Sequence, residues 1–311
     1  MKVFTAICLI LCLTVACSKE PAITEDMLDG GTLFDPSLYQ PEKYLVSRAI
    51  PTPTPAQANT PVIIACHGYT ATTFEWDEFR TWLGNRTDVY LSQVLLGGHG
   101  RTYEEFKKST WRDWQEAITA EYERLEKAGY KNISLLGSST SGPLLLELVS
   151  SGYFTRHLPP RNFILVDPIV IPSDKTLSLV PLLGPMLGYI DTKQSAQEDK
   201  VYYHFRPQET LQQLQKLLTL VRRDLEKGIS LPAGSRLTVY KAKQDPAADP
   251  ISAVLIYKGV KLSTGGPPDV QLIDSDRHVF TRLQFVEGVT EKDYKTQKDT
   301  FAAILAQALA P

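Results

Sequence analysis

Cysteine is scarce in this 311-residue chain. Of four cysteines, Cys8 and Cys12 lie in an N-terminal apolar run and Cys17 ends it, so only Cys66 belongs to the body of the chain. A single thiol forms no intramolecular disulfide, and stability has to come from a buried core. Cys66 closes a short apolar stretch, where a thiol behaves as a small hydrophobe rather than a nucleophile. Charge of one sign is also lacking. The formal net charge is −2, 22% of residues are charged, and no basic stripe is concentrated anywhere, which excludes nucleic acid as a partner. A metal-ligand cluster, a dinucleotide fingerprint and a phosphate loop are all missing, so no metal and no cofactor is expected. There is no internal repeat. The apolar run over 3–16 is too short to cross a bilayer as a helix.

That run, preceded by Lys2, reads as a signal peptide over 1–16. It ends Leu13-Thr14-Val15-Ala16-Cys17, which resembles a bacterial lipobox, with Thr14 standing where Leu is usual. The resemblance implies that Cys17 is lipidated, with palmitate among the acyl groups, and becomes the mature N-terminus. It also implies a lipoprotein held at a membrane of the bacterial cell envelope; Ser18 after the cysteine is compatible with outer-membrane sorting. Ordinary secretion with cleavage nearby is the alternative. Residues 17–40 are polar and contain proline, which suits a tether.

The chain as a whole is 43% hydrophobic, a globular balance, and residues 41–311 form its body. A first strand is expected over 44–50, followed by an exposed segment Pro51-Thr52-Pro53-Thr54-Pro55. From 61 onward, short apolar runs alternate with helical patterns. Strands are expected at 62–65, 89–96, 133–136, 163–166, 237–240 and 270–273. Helices are expected at 74–83, 111–127, 209–226 and 300–309, with one more running from the serine turn to about residue 150. This alternation predicts an α/β fold, a mostly parallel, doubly wound sheet with helices on both faces. Residues 168–232 break the rhythm and read as a small helical cap insertion. Within it, 177–190 is apolar but broken by Pro181, Gly184, Pro185 and Gly188. That segment faces substrate or membrane, or simply packs the cap on the main domain.

The residues that carry chemistry lie at strand ends. Asn132-Ile133-Ser134-Leu135-Leu136-Gly137-Ser138-Ser139-Thr140-Ser141-Gly142 is an apolar strand running into Gly-x-Ser, followed by leucines at helical spacing. A serine hydroxyl becomes a nucleophile when a tight turn exposes it beside a base. Ser139 occupies the centre of that turn. Five histidines compete as the base. His278 follows the last expected strand, where a loop opens at the carboxyl edge of a parallel sheet. For the acid, Asp249 precedes Pro250 and a helix start, and helix capping accounts for it. Asp245 follows the 237–240 strand sooner and has no capping role, so it is the expected partner of His278. His67-Gly68 follows the first buried strand, where the Tyr69 N–H can turn inward as an oxyanion donor.

The chain order Ser139, Asp245, His278 is that of α/β-hydrolases. Together with His67-Gly68-Tyr69-Thr70, Gly97-Gly98-His99-Gly100, the Trp111–Trp114 helix and a helical cap segment over 209–225, it resembles small bacterial carboxylesterases and monoacylglycerol lipases over residues 60–305. The resemblance implies an α/β-hydrolase fold and a serine esterase. Ser139 would attack a carboxylic ester, His278 would relay the proton and Asp245 would orient it. The backbone N–H groups of Tyr69 and Thr140 would bind the oxyanion. A short or medium acyl ester, or a monoacylglycerol-like lipid, is the implied substrate. Thioester, amide or lactone cleavage is the neighbouring alternative, and a lipid-anchored binding protein on a hydrolase fold is the non-enzymatic one. One residue departs from the pattern: Ser141 stands where the family has Gly, with the expected consequence of crowding the strand–helix contact or reshaping the acyl pocket.

Overall fold

The computed structural model describes residues 20–31, 50–174 and 188–310. The signal segment, Cys17, the expected 44–50 strand apart from Ile50, and most of the 177–190 run lie outside the described residues. Six strands form one sheet: β1 (Val62–Cys66), β2 (Tyr90–Val94), β3 (Ile133–Ser138), β4 (Asn162–Val166), β8 (Arg236–Ala242) and β10 (Asp269–Ile273). Their order is β10-β8-β4-β3-β1-β2, and every pairing is parallel. Two further pairs stand apart: β5 (Tyr189–Asp191) runs antiparallel to β6 (Phe205–Pro207), and β7 (Ile229–Ser230) pairs with β9 (Val260–Lys261).

Side-chain alternation along the strands explains the layers. Val62, Ile64 and Cys66 of β1 face one core with Leu135, Leu237 and Val239. Ile63 and Ala65 face the other with Leu136, Ile164 and Ala242. The first core is closed by α3 (Trp111–Ala128), α4 (Ser141–Ser150), α5 (Gln208–Lys227) and α6 (Ile251–Gly259). The second is closed by α1 (Asp77–Leu83) and α7 (Glu291–Leu309). The sheet is thus covered on both faces, as an all-parallel sheet requires.

Local signals set the helix ends. Thr110 and Asp113 form a reciprocal capping box at the start of α3, and Gly129, at φ 106°, ends it in the left-handed conformation. Thr290 and Asp293 repeat the box at α7, so this helix begins nine residues before the expected 300. A third box, Thr102 with Glu105, starts the short α2 (Tyr103–Lys108), which the sequence reading did not anticipate. The expected helix over 74–83 is split into a 3-10 turn (Thr73–Trp76) and α1.

Two segments of the folded chain make contacts that the sequence does not announce. Residues 20–31, read as part of a tether, lie against the body: Leu28 is fully buried, and Asp29 accepts the backbone N–H groups of His204 (2.8 Å) and Phe205 (3.1 Å). A polar segment docks here because the Asp29 carboxylate satisfies two donors at the start of β6. The expected cap helix, α5, is less separate than an insertion suggests. Its Leu214, Leu217, Leu218, Val221 and Leu225 share the core of β1 and β3, and it packs on α2, α3, α4 and α6.

Candidate active site

The strand order reverses direction between β1 and β3, and a crevice opens at the carboxyl ends of strands at such a point. Gly68, just after β1, and Ser139, just after β3, face each other there. A Cβ built on Gly68 would lie 2.9 Å from Ser139 Cβ and 3.4 Å from its Oγ, so only glycine lets the two loops approach this closely. Ser139 sits at φ 47°, a left-handed turn held by backbone bonds from Ser139 N to Val166 O (3.0 Å) and from Gly142 N to Ser139 O (3.1 Å). The same sign of φ recurs at Thr70, Asp167 and Val279, each at the carboxyl edge of β1, β4 and β10. Positive φ is costly for β-branched Thr and Val, and such strain gathers where a fold holds functional groups.

The three residues singled out from separate parts of the sequence meet at this edge. His278 Nε2 lies 2.8 Å from Ser139 Oγ, and His278 Nδ1 lies 2.9 Å from Asp245 Oδ2. With the carboxylate accepting, Nδ1 carries the proton and Nε2 is left to accept the serine hydroxyl. Asp245 Oδ1 accepts the N–H groups of Ala247 (2.8 Å) and Ala248 (2.9 Å). Burial works against its charge, but His278, Lys241 and these donors outweigh it and hold the carboxyl below its ordinary range. Tyr69 and Thr140 line the cavity in front of Ser139, about 320 Å³ in volume, together with Ile169, Leu211 and Leu214. A larger cavity, about 580 Å³, lies between residues 20–29 and α2, apart from these groups; chemistry rather than size marks the site.

The sequence reading missed the groups behind the carboxylate. Lys241 Nζ bridges Asp245 Oδ2 and Asp167 Oδ1, the latter at 3.2 Å, and all three side chains are fully buried. Asp167 also accepts the N–H of Ala242 (2.8 Å) and of Phe280 (3.3 Å), tying β4 to β8 and to the loop that carries His278. Burial raises its pKa, with Lys241 opposing and Asp245 adding to the rise. Ligand-type atoms of Asp167, Asp245 and His278 lie within 4.8 Å of one another. A metal ion there would meet the cation that Lys241 already supplies between the two acids. Glu75 is a third buried acid near the site. It accepts the Gly68 N–H at 2.8 Å and bonds the Ser138 hydroxyl, bracing the loop before Tyr69 against the strand end before Ser139. Sequence signals existed for two of these: Lys241 directly follows the apolar run over 237–240, and Glu75 lies between Phe74 and Trp76.

Ser141 has a definite place. It is fully buried, its hydroxyl donates to His67 O at 2.5 Å, and its Cβ lies near Gly137 rather than in the cavity. It fastens the elbow to the β1 loop and leaves the pocket wall unchanged. The other histidines are each accounted for. His67 Nε2 accepts the Leu96 N–H (3.0 Å), His99 packs edge-on against His67 and Trp114, His157 stacks on Tyr153 beside Glu126, and His204 lies between Asp199 and Asp191. Asp249 keeps a capping role, accepting the Ile251 N–H at 2.8 Å, although Pro250 takes the cap position itself.

Burial lowers the pKa of His67 to about 4, and burial together with His67 lowers that of His99 well below its ordinary value. Below pH 6.5 the unfolded chain takes up protons that these folded imidazoles refuse. Their contribution is therefore complete above pH 6.5 and is lost as pH falls toward 4. For His67 alone the loss is about 2 kcal/mol by pH 5. His204 acts in the opposite sense: burial opposes its charge, Asp199 and Asp191 outweigh that, and its raised pKa makes its contribution full below 6.5 and lost at higher pH. It is partly exposed, so solvent screening reduces its share. The urea midpoint is expected to fall between pH 7 and pH 5; a flat or rising midpoint would contradict the assignment.

No protein-family profile matches the chain. Solved structures do. The six-stranded parallel sheet with helices on both faces is the α/β-hydrolase fold. One match is a metagenome-derived lipolytic enzyme of the LipS and LipT study, at 17% identity and TM-score 0.63, covering 79% of this chain and 94% of that one. Another is the monoacylglycerol lipase of Paleococcus ferrophilus, at 11% identity and TM-score 0.61, covering 81% and 96%. A third is a soluble variant of the Saccharomyces cerevisiae monoglyceride lipase in complex with a substrate analog, at 13% identity and TM-score 0.60, covering 81% and 86%. Identities this low establish the fold.

Proposed function

We propose that the protein is a serine hydrolase that cleaves carboxylic esters through an acyl-enzyme on Ser139. The observation that carries the reading is the unbroken relay from Ser139 Oγ to His278 Nε2 and from His278 Nδ1 to Asp245. In this reading the serine oxygen attacks the ester carbonyl as its proton passes to His278. The Tyr69 and Thr140 N–H groups take the charge that develops on the carbonyl oxygen, a kind of contact whose loss costs on the order of a hundredfold or more in rate. His278 then protonates the departing alcohol, and water releases the acid by the same steps in reverse roles. Lipolytic enzymes among the structures sharing this fold support ester substrates. The cavity volume and its apolar wall support a short or medium acyl group.

The test is hydrolysis of p-nitrophenyl esters from acetate to palmitate by the chain lacking residues 1–16. Turnover should peak at short or medium length. Turnover of thioesters or amides in preference to every ester would move the reading to those bonds.

We also infer that Cys17 is lipidated and anchors the protein at a membrane of the cell envelope, on the lipobox-like residues before it. Radiolabelled palmitate should enter the full-length chain expressed in a bacterium. Its incorporation should be lost in Cys17→Ala, and equal labelling of both would sink the idea.

A further inference from the structure

The wall of the candidate active-site cavity contains a cation that ester hydrolysis does not use. Arg206, on β6, lines the same cavity as Ser139, His278 and Tyr69. Its Nε is sealed from solvent and has no hydrogen-bond partner among the described residues. Its position is not explained by a partner elsewhere: among the described residues no carboxylate pairs with it, and no ring stacks under it. Asp174 lines the same cavity, and no ion pair joins it to Arg206; Asp29 and Asp199 are engaged with the His204 and Phe205 N–H groups and with the His204 ring. Tyr69, close enough to sense the Arg206 charge, directs its hydroxyl to Thr210 Oγ1 at 2.7 Å. Burial acts to lower the Arg206 pKa, as expected of a cation held away from water without a counter-ion.

Charged groups withdrawn from water are normally paired, because an unpaired one loses its hydration with nothing in return. Arginine in particular offers a planar fork of donors that fits a carboxylate or a phosphate. A guanidinium whose buried Nε has no partner, on the wall of a cavity that also holds Ser139 and His278, is arranged for an anion that arrives with the substrate. We propose that Arg206 is a binding residue for a negatively charged substituent, a carboxylate or phosphate, on the ester substrate. The proposal rests on the reading of Ser139 as an ester-cleaving nucleophile, and it narrows the substrate from esters in general to anionic esters. Ile169, Leu211 and Leu214 hold the apolar part of the substrate, and Arg206 fixes which end enters. The charge belongs either to the acyl half, as in a dicarboxylic half-ester, or to the alcohol half.

Matched ester pairs separate these cases. Mono-p-nitrophenyl glutarate against p-nitrophenyl pentanoate places the charge on the acyl half, and 4-butyryloxybenzoate against its methyl ester places it on the alcohol half. For one of the two pairs, the wild-type kcat/KM should favour the anionic member. In Arg206→Met the anionic-to-neutral ratio should fall at least tenfold, and Arg206→Lys should restore part of it. Thermal melts establish that both variants fold. A ratio unchanged by Arg206→Met on both pairs overturns the proposal while leaving ester hydrolysis intact. If the wild type turns over none of the four, the ester reading fails instead. A binding measurement then decides on Arg206 independently: calorimetry of glutarate and of phenyl phosphate on Ser139→Ala, with and without Arg206→Met. Binding that requires Arg206 supports an anion site, and binding indifferent to it, or absent, rejects one.

Discussion

Replacing Ser139 by alanine is expected to lower kcat for ester hydrolysis by at least about 10⁴-fold, with little change in the urea midpoint. The size follows from what is removed. Without the oxygen there is no acyl-enzyme, and only the oxyanion donors and the cavity remain to assist water. The fold should tolerate the change. The turn at Ser139 is held by backbone bonds to Val166 and Gly142, which alanine keeps, and alanine meets the same positive φ that serine already accepts. A fluorophosphonate probe gives an independent reading: it should label the wild type at the peptide containing Ser139 and leave Ser139→Ala unlabelled. Labelling of Ser138 or Ser141 instead would move the nucleophile. Both are buried, and both hydroxyls are committed, to Glu75 and to His67 O respectively.

Lys241→Met is expected to be the most destabilising single change away from the hydrophobic core, by about 3–5 kcal/mol. Methionine matches the lysine stem in length and removes only the charge. What it leaves is a pair of carboxylates, Asp167 and Asp245, fully buried and no longer bridged. Each keeps backbone donors, at Ala242 and at Ala247 and Ala248, and Asp245 keeps His278, but the cation between the two carboxylates is gone. The double variant Lys241→Met with Asp167→Asn should recover more than half of the loss, because it removes one of the facing charges while an amide oxygen can still accept from Ala242. Urea unfolding followed by tryptophan fluorescence measures all four corners of the cycle. A double variant no more stable than Lys241→Met alone would mean that the lysine acts by packing. Because Asp167 also accepts the Phe280 N–H, loosening this cluster should displace His278 as well.

Legibility of the site in the sequence varied with how local each signal is. The β3 strand, the serine turn and the α4 helix are contiguous, so a single eleven-residue stretch announces them. His278 and Asp245 were found by position after a strand, since in a parallel sheet every strand ends at the same edge. Boundaries were less secure. Helix α7 starts at Glu291 because of a Thr–Asp box placed before any apolar periodicity begins, and α2 is too short to show a period at all.

Local chemistry in the sequence determined the order of elements, the class of fold and the three residues at the strand ends, because apolar runs, glycine turns and capping residues act within a few positions of themselves. Tertiary structure alone decided the rest. Lys241 and Asp167 are 74 residues apart, and Glu75 and Ser138 are 63 apart. Each pair is brought together by strand neighbours in the sheet, and that pairing is set by packing both faces at once. The docking of residues 20–31 and the isolation of Arg206 are likewise properties of what surrounds a charge in space. Burial, and with it the cost of leaving a charge unpaired, comes into being only when distant segments close around it.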